Sequence, residues 1–141
     1  MCYLFYITSK DIVNRFNKYL KRYDISFPNY IVLLYIENEI PVYIKTLCDE
    51  LYLDSGTISP IIREKELIRR LRTEDDERRV VITTKGIKLK EEFSKISEEV
   101  IQQFDMEKED SLAYYRILRT FAEKISILKM MVSNFRNESY I

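Results

Sequence analysis

Arginines are concentrated in one short stretch of the sequence, on both sides of the acidic run EDDE at residues 74–77. They are Arg69, Arg70, Arg72, Arg78 and Arg79. Guanidinium groups bind phosphates, and a narrow DNA minor groove attracts them. Asp76 lies two residues before Arg78 and could hold its guanidinium by a two-point contact. The simpler interpretation is a solvated loop, in which alternating charges face water.

Hydroxyl side chains are concentrated in a second stretch, DSGTISPIIREKE, which begins at Asp54. Asp54-Ser55 is a typical helix-capping pair, so Ser55, Thr57 and Ser59 are expected in the first turns of a helix. Hydroxyls there can meet base edges or phosphates, and Arg63, one to two turns further on, could reach a guanine or a phosphate. The alternative is an ordinary capped surface helix.

The neighbouring elements favour the nucleic-acid interpretation for both stretches. A short helix is predicted over 43–51 and a second over 54–65, separated by a turn, as in a helix-turn-helix. Branched residues at 67–73 and 79–83 predict a β-hairpin around the acidic tip, which is a wing directly behind that motif. We therefore predict a mainly α fold with a small β-hairpin wing (α+β) and a winged helix-turn-helix over 27–86.

Long helices with apolar stripes are predicted at both ends of the chain. One covers 3–22, and two close the chain, the first capped by Thr84 and the second by Asp110. A single short subunit cannot easily cover stripes at both ends. We therefore predict one subunit over 1–141 that forms a homodimer through helices in 1–26 and 87–141.

Composition excludes several function classes. The 141 residues contain no histidine, which removes the commonest general base and zinc ligand, and Cys2 and Cys48 have no CxxC spacing. We expect neither an enzyme nor a cofactor or metal site. No apolar run reaches membrane-spanning length and no basic region precedes the first apolar stretch, so a cytoplasmic location without membrane association is predicted. Net charge is zero, so DNA binding would need a local basic face.

The segments LYLDSGTISPIIRE and LIRRLRTEDDERRVVI resemble the winged-helix core of the MarR family of bacterial transcription regulators, with Asp76 and Arg78 matching its wing signature. The segments CYLFYITSKDI and DSGT resemble, more narrowly, the OhrR-like organic-hydroperoxide sensors. The resemblance implies a homodimer on a pseudo-palindromic double-stranded DNA operator, with the helix in the major groove and the wing in the minor groove. The chain is shorter than the family pattern between Pro60 and Leu67 and again before Thr84.

The OhrR-like branch also implies a signal. Its cysteine corresponds to Cys2, which would be oxidised and then capped by a low-molecular-weight thiol, and tyrosine hydroxyls bond to its sulfur. Tyr6 matches one of them, whereas Phe16 and Phe27 stand at the other two positions. Phenylalanine offers no donor to stabilise a thiolate. We therefore expect a repressor relieved by oxidation of Cys2, or else by a small aromatic ligand. A helical interaction protein that lacks DNA binding is the third alternative.

Overall fold

The computed structural model describes residues 2–71 and 78–138, with side chains up to Ser126. Two compact units divide the chain, Met1–Gln103 and Phe104–Ile141. The first unit contains helices α1 (Cys2–Leu20), α2 (Phe27–Tyr35), α3 (Ile44–Leu51), α4 (Ser55–Arg63), α5 (Thr84–Glu91) and α6 (Phe93–Gln102), a 3-10 turn at Lys21–Tyr23, and strands β1 (Val42–Tyr43), β2 (Ile68–Arg70) and β3 (Arg79–Ile82). The second unit contains α7 (Lys108–Glu138).

The predicted fold class is confirmed, because the described chain is mostly helical with a small antiparallel sheet. The predicted hairpin is present as β2 and β3, with Ile68 opposite Ile82 and Arg70 opposite Val80. The sheet has a third strand that the sequence did not predict. β1 pairs with β3 on its other side, with Val42 opposite Val80.

Local capping explains where the second helix begins. Ser26 precedes α2, and its backbone N–H donates to Asn29 Oδ1 at 2.8 Å in a capping box. The Phe27 N–H donates to Asn17 Oδ1 of α1 at 2.9 Å, which ties the start of α2 to α1. Pro28 stands in the first turn, where its missing N–H removes no helical hydrogen bond.

One part of the core of the first unit lies between the helix pair α3–α4 and the inner face of the sheet. Leu47 of α3 and Ile58 and Ile61 of α4 are fully buried or nearly so. From the sheet side, Ile68 and Val80 are buried to the same degree. Burying each such side chain contributes roughly 1.5–3 kcal/mol, so this apolar layer holds the wing against the helix pair.

The region after the sheet differs from the predicted helices. Thr83, not Thr84, caps α5, because the Thr83 backbone is extended and its Oγ1 accepts from the Gly86 N–H at 3.1 Å. The predicted single helix is divided at Glu92 into α5 and α6. Asp110 does not cap α7, which begins at Lys108, and it lies instead in the first turn, where its charge favours the helix dipole.

Candidate nucleic-acid interface

The turn between α3 and α4 is a helix-turn-helix connection built by two local features. Tyr52 ends α3 in the left-handed conformation, with φ of 53°. Asp54 then caps α4, because its Oδ1 accepts from the Thr57 N–H at 2.9 Å and from the Thr57 hydroxyl at 3.1 Å. The start of α4 is thereby held by a side chain outside the helix.

α4 has a buried face and an exposed face. Ile58 and Ile61 occupy the buried face, and the exposed face includes Ser55, Pro60 and Arg63. These exposed positions present one hydroxyl and one guanidinium, and their contact with a partner stays a prediction. Pro60 was not proposed as a site residue, although its helical spacing from Arg63 could have indicated the shared face.

The other two hydroxyls that the sequence singled out are less available. Thr57 is half-buried and its hydroxyl is engaged with the Asp54 carboxylate. Ser59 is also half-buried. Their contact with DNA stays a prediction.

The arginines of the wing lie on different faces of the sheet. Arg70 lies opposite buried Val80 and shares its face of the sheet. Arg78 lies just before β3 and lines one surface cleft together with Arg70. Arg79 lies opposite Tyr43 on the other face, with its guanidinium 5.7 Å from the Tyr43 ring centroid and its Nε buried. The structure therefore brings Arg70 and Arg78 together and separates Arg79 from them.

Two of the predicted wing residues, Arg72 and Asp76, lie outside the described residues. The proposed contact between Asp76 and the Arg78 guanidinium is therefore untested and stays a prediction.

The C-terminal end of α4 is attached to its surroundings by two lysines. Lys65 Nζ lies 2.6 Å from Asp24 Oδ2, and this hydrogen bond, with the lysine charge, holds the pKa of Asp24 below its usual range. Lys85 Nζ donates to the Lys65 carbonyl oxygen at 2.9 Å. The short α4 is thus capped by Asp54 at its start and held by side-chain bonds just beyond its last turn.

Cys2 and Tyr6 occupy the first turns of α1, one helical turn apart. Both are exposed, Tyr6 to 61%, and Lys10 Nζ lies 5.1 Å from the Tyr6 ring centroid. Phe16 and Phe27, which stand where the OhrR-like branch has tyrosines, pack together with their ring centroids 5.3 Å apart. Both are half-buried and form an aromatic cluster with Tyr30.

The second cysteine has a different environment. Cys48 is partly buried on α3, and burial, together with the nearby carboxylates of Asp49 and Asp54, raises the pKa of its thiol. A raised pKa keeps the sulfur protonated and unreactive at neutral pH. Cys48 is therefore a partly buried thiol that ionises less readily than a free cysteine.

Two further properties of the described residues bear on function. Residues 2–71 and 78–138 contain no cluster of three or more carboxylate or thiol side chains that could hold a metal ion. Within the same part of the chain, the helices are too short or too polar to cross a membrane.

Comparison with known proteins supplies a family context for this winged helix. The family described as "Transcriptional regulator SarA/Rot" matches residues 14–100. The "HTH-type transcriptional regulator SarZ" of Staphylococcus saprophyticus is 40% identical over 129 residues, covering 88% of each chain. Among solved structures, S. aureus MepR in its DNA complex superposes with a TM-score of 0.69 at 24% identity, covering 87% of this chain and 96% of MepR. The reduced form of E. coli MarR gives 0.71 at 19% identity, covering 85% and 94%. The fold is that of MarR proteins.

Proposed function

Since the chain belongs to the SarA/Rot family of transcriptional regulators, we propose that it binds double-stranded DNA in a sequence-specific manner and represses transcription. One observation carries this proposal: the exposed face of α4 presents Ser55 and Arg63 beside a wing that bears Arg70 and Arg78. α4 would enter the major groove and the wing the adjacent minor groove. MepR, which has this fold, forms a complex with DNA, and this supports DNA binding by the present chain. Such a regulator would act in the cytoplasm, where the bacterial chromosome is accessible.

The test is binding to a fluorescent duplex from the region upstream of the protein's own gene, measured by anisotropy. Arg63→Ala should weaken binding to this duplex more than to a scrambled one, because a bidentate contact to guanine contributes about 1–3 kcal/mol of discrimination. Arg22→Ala, in the 3-10 turn outside the winged helix, is the matched control. If the wild-type protein binds no duplex even at low salt, the alternative of a helical interaction protein replaces the proposal.

We also propose a homodimer, which the apolar surface that each unit leaves exposed supports. In α1, Tyr3 and Leu4 are 74% and 67% exposed, and in α7, Tyr115 and Ile117 are 61% and 52% exposed. Monomeric proteins rarely leave so many adjacent apolar side chains in water, and a second copy of this chain would cover them. Sedimentation analysis should give a dimer, and Leu4→Lys should shift the equilibrium toward monomer. Two-fold symmetry then predicts two operator half-sites about one helical turn apart.

For the regulatory signal we infer oxidation of Cys2 by an organic hydroperoxide, followed by capping with a low-molecular-weight thiol. Cys2 is exposed in the single chain, at the start of α1. A sensor cysteine must be accessible to the oxidant, so this signal requires the proposed dimer to leave the Cys2 sulfur open. Tyr6 is the single retained tyrosine of the OhrR-like pattern. The phenylalanines at positions 16 and 27 are the feature that argues against it. If these phenylalanines prevent thiol sensing, a small aromatic ligand would be the signal instead.

Cys2→Ser separates these two signals. If oxidation is the signal, the variant binds DNA as the wild type does and no longer releases it when cumene hydroperoxide and a small thiol are added. If the variant still responds to peroxide, the thiol mechanism is wrong. If salicylate releases both the wild type and Cys2→Ser from DNA and peroxide affects neither, the aromatic ligand is supported as the signal.

A further inference from the structure

A small polar pocket lies where the end of α1 meets the start of α2 and the chain just beyond α4. Its volume is about 350 Å³, near the lower end of the range typical of ligand pockets, which suits a small molecule. Its polar walls include Asn17, Lys21, Asp24, Asn29 and Lys65. Among the described residues that line it, none was proposed above for DNA contact or for thiol sensing. The pocket is therefore separate from both of those sites.

Asn29 brings a buried amide to this pocket. The residue is only 8% exposed, and its Oδ1 accepts from the Ser26 backbone N–H at 2.8 Å and from the Ser26 hydroxyl at 3.0 Å. A backbone N–H can only donate, so this bond fixes which end of the amide is the oxygen and leaves the Nδ2 group as a donor. Within residues 2–71 and 78–138, that NH2 group donates to no side chain or carbonyl. A buried donor without an acceptor is costly, and the pocket is where an acceptor can reach it.

Two further donors line the same pocket. Asn17 is oriented as Asn29 is, because its Oδ1 accepts from the Phe27 backbone N–H at 2.9 Å and its NH2 group is left over. Lys21 follows Asn17 by four residues and is exposed, and among the described residues no carboxylate forms an ion pair with it. Two amide NH2 groups and an ammonium form a donor set that suits an anionic oxygen.

The remaining cation of the pocket already holds an anionic oxygen of the chain itself. Lys65 Nζ lies 2.6 Å from Asp24 Oδ2, and the Asp24 side chain is 91% exposed. Exposed ion pairs contribute little to stability, so another anion in the pocket can compete with Asp24 for Lys65. Lys65 stands just beyond the last turn of α4, and this ion pair ties that end of the helix to the junction of α1 and α2.

We propose that the pocket binds a small anion that carries a carboxylate or phosphate group. The NH2 groups of Asn17 and Asn29 and the ammonium of Lys21 hold its oxygens, and Lys65 exchanges Asp24 for the anion. This exchange releases the tie between α4 and the α1–α2 junction and lowers the affinity for DNA. The last step rests on the DNA binding proposed above, whereas anion binding itself does not.

Asn29→Asp is the decisive variant for anion binding. It keeps an oxygen for the Ser26 N–H, so the start of α2 is retained, but it replaces the NH2 donor with a second carboxylate oxygen. Inorganic phosphate and acetate are titrated separately into the full chain at constant ionic strength, and the side-chain NH2 signal of Asn17 is followed by NMR. The wild type should show saturable shifts, and Asn29→Asp should bind at least about tenfold more weakly, because it loses a hydrogen bond to a charged group. The probe that binds more tightly identifies the anionic group as phosphate or carboxylate.

A pair of lysine variants separates the pocket from general charge effects. Lys21→Gln removes a proposed anion contact and should weaken binding of the probe. Lys18→Gln removes an exposed lysine of α1 that does not line the pocket, changes the net charge equally and should bind as the wild type does. If the titration is not saturable, or if all four proteins give the same curve, the pocket is not an anion site.

DNA binding is measured separately, by anisotropy with the upstream duplex, with chloride replaced by the tighter probe at constant ionic strength. The probe should weaken binding by the wild type and leave Asn29→Asp unaffected. If the probe binds the wild type but does not change its affinity for DNA, the release of α4 is wrong. If the wild type binds no duplex even at low salt, the proposed function fails, and the NMR titration still decides whether the pocket binds anions.

Discussion

Replacing Gly86 with alanine tests how closely α5 approaches the wing. A methyl group at this position would lie 2.7 Å from Ile82 Cγ1 and still closer to the Leu67 carbonyl oxygen. That oxygen already accepts from the Thr83 N–H at 3.0 Å, so it is part of the backbone bonding that joins β2 to the start of α5. A backbone oxygen cannot rotate away from a new methyl group as a flexible side chain can. The helix or the strand must therefore move.

The magnitude follows from two opposing contributions. Overpacking against an immobile neighbour costs about 3 kcal/mol, at the upper end of its usual range. Alanine has a higher helix propensity than glycine, which returns at most about 1 kcal/mol. The free energy of unfolding should therefore fall by about 2 kcal/mol, which lowers the melting temperature by roughly 5–10 °C.

Gly56, the chain's other glycine, provides the matched control. It also lies in the first turn of a helix, but the methyl group added there would meet only the Asp54 side chain, at 3.1 Å. Gly56→Ala should stay within about 1 kcal/mol of wild type, because the propensity gain offsets a small rearrangement. Urea unfolding followed by far-ultraviolet circular dichroism measures both, at equal protein concentration since association would add to stability. Equal stability of the two variants would refute the close approach at Gly86.

Three further predictions concern single side chains. Asp54→Ala should destabilise the protein by about 1 kcal/mol in urea unfolding, while Asp54→Asn, which keeps a capping oxygen, should cost less than half of that. Burial raises the pKa of Cys48 above its ordinary 9.0, whereas Cys2 is exposed. Iodoacetamide at pH 8 should therefore label Cys2 before Cys48. Equal labelling rates of the two thiols would contradict these environments. Burial likewise raises the pKa of Tyr30 above its ordinary 10.0, so its contribution to stability is complete below pH 10 and is lost at higher pH. Tyr30→Phe should reduce the loss of unfolding free energy above pH 10. If stability falls with pH in the variant as it does in the wild type, Tyr30 is not the cause of the loss.

Most of the fold could be predicted because its signals are local. The Asp54-Ser55 cap, the proline of α4 and the branched residues beside the acidic tip mark the helix-turn-helix and the hairpin within a few residues each. The cap of α5 was misplaced by one residue, because adjacent threonines look alike in sequence. Only the extended backbone of Thr83 next to β3 distinguishes them.

The candidate site was predicted less completely than the fold. Arg63 and Ser55 lie on the exposed face of α4, as helical spacing suggests. The hydroxyl of Thr57 instead bonds to the helix cap, a short-range alternative that competes with any contact to a ligand. The contact of α3 with the wing could not be predicted, because it arises from a backbone bond between Ile44 and Arg78, which are far apart in the chain.

The sequence by itself determined the elements of this regulator: a helix-turn-helix with hydroxyls at the start of its second helix, an arginine-bearing hairpin and apolar helices at both ends. Tertiary structure alone decided which arginines lie together. The pairing register of β2 and β3 places Arg70 on the face toward the helix pair, where it shares a cleft with Arg78, while the pairing of β1 with β3 sets Arg79 beside Tyr43. Register is a non-local property, and a shift of one residue would exchange the two faces, so no local pattern in the sequence could have assigned them.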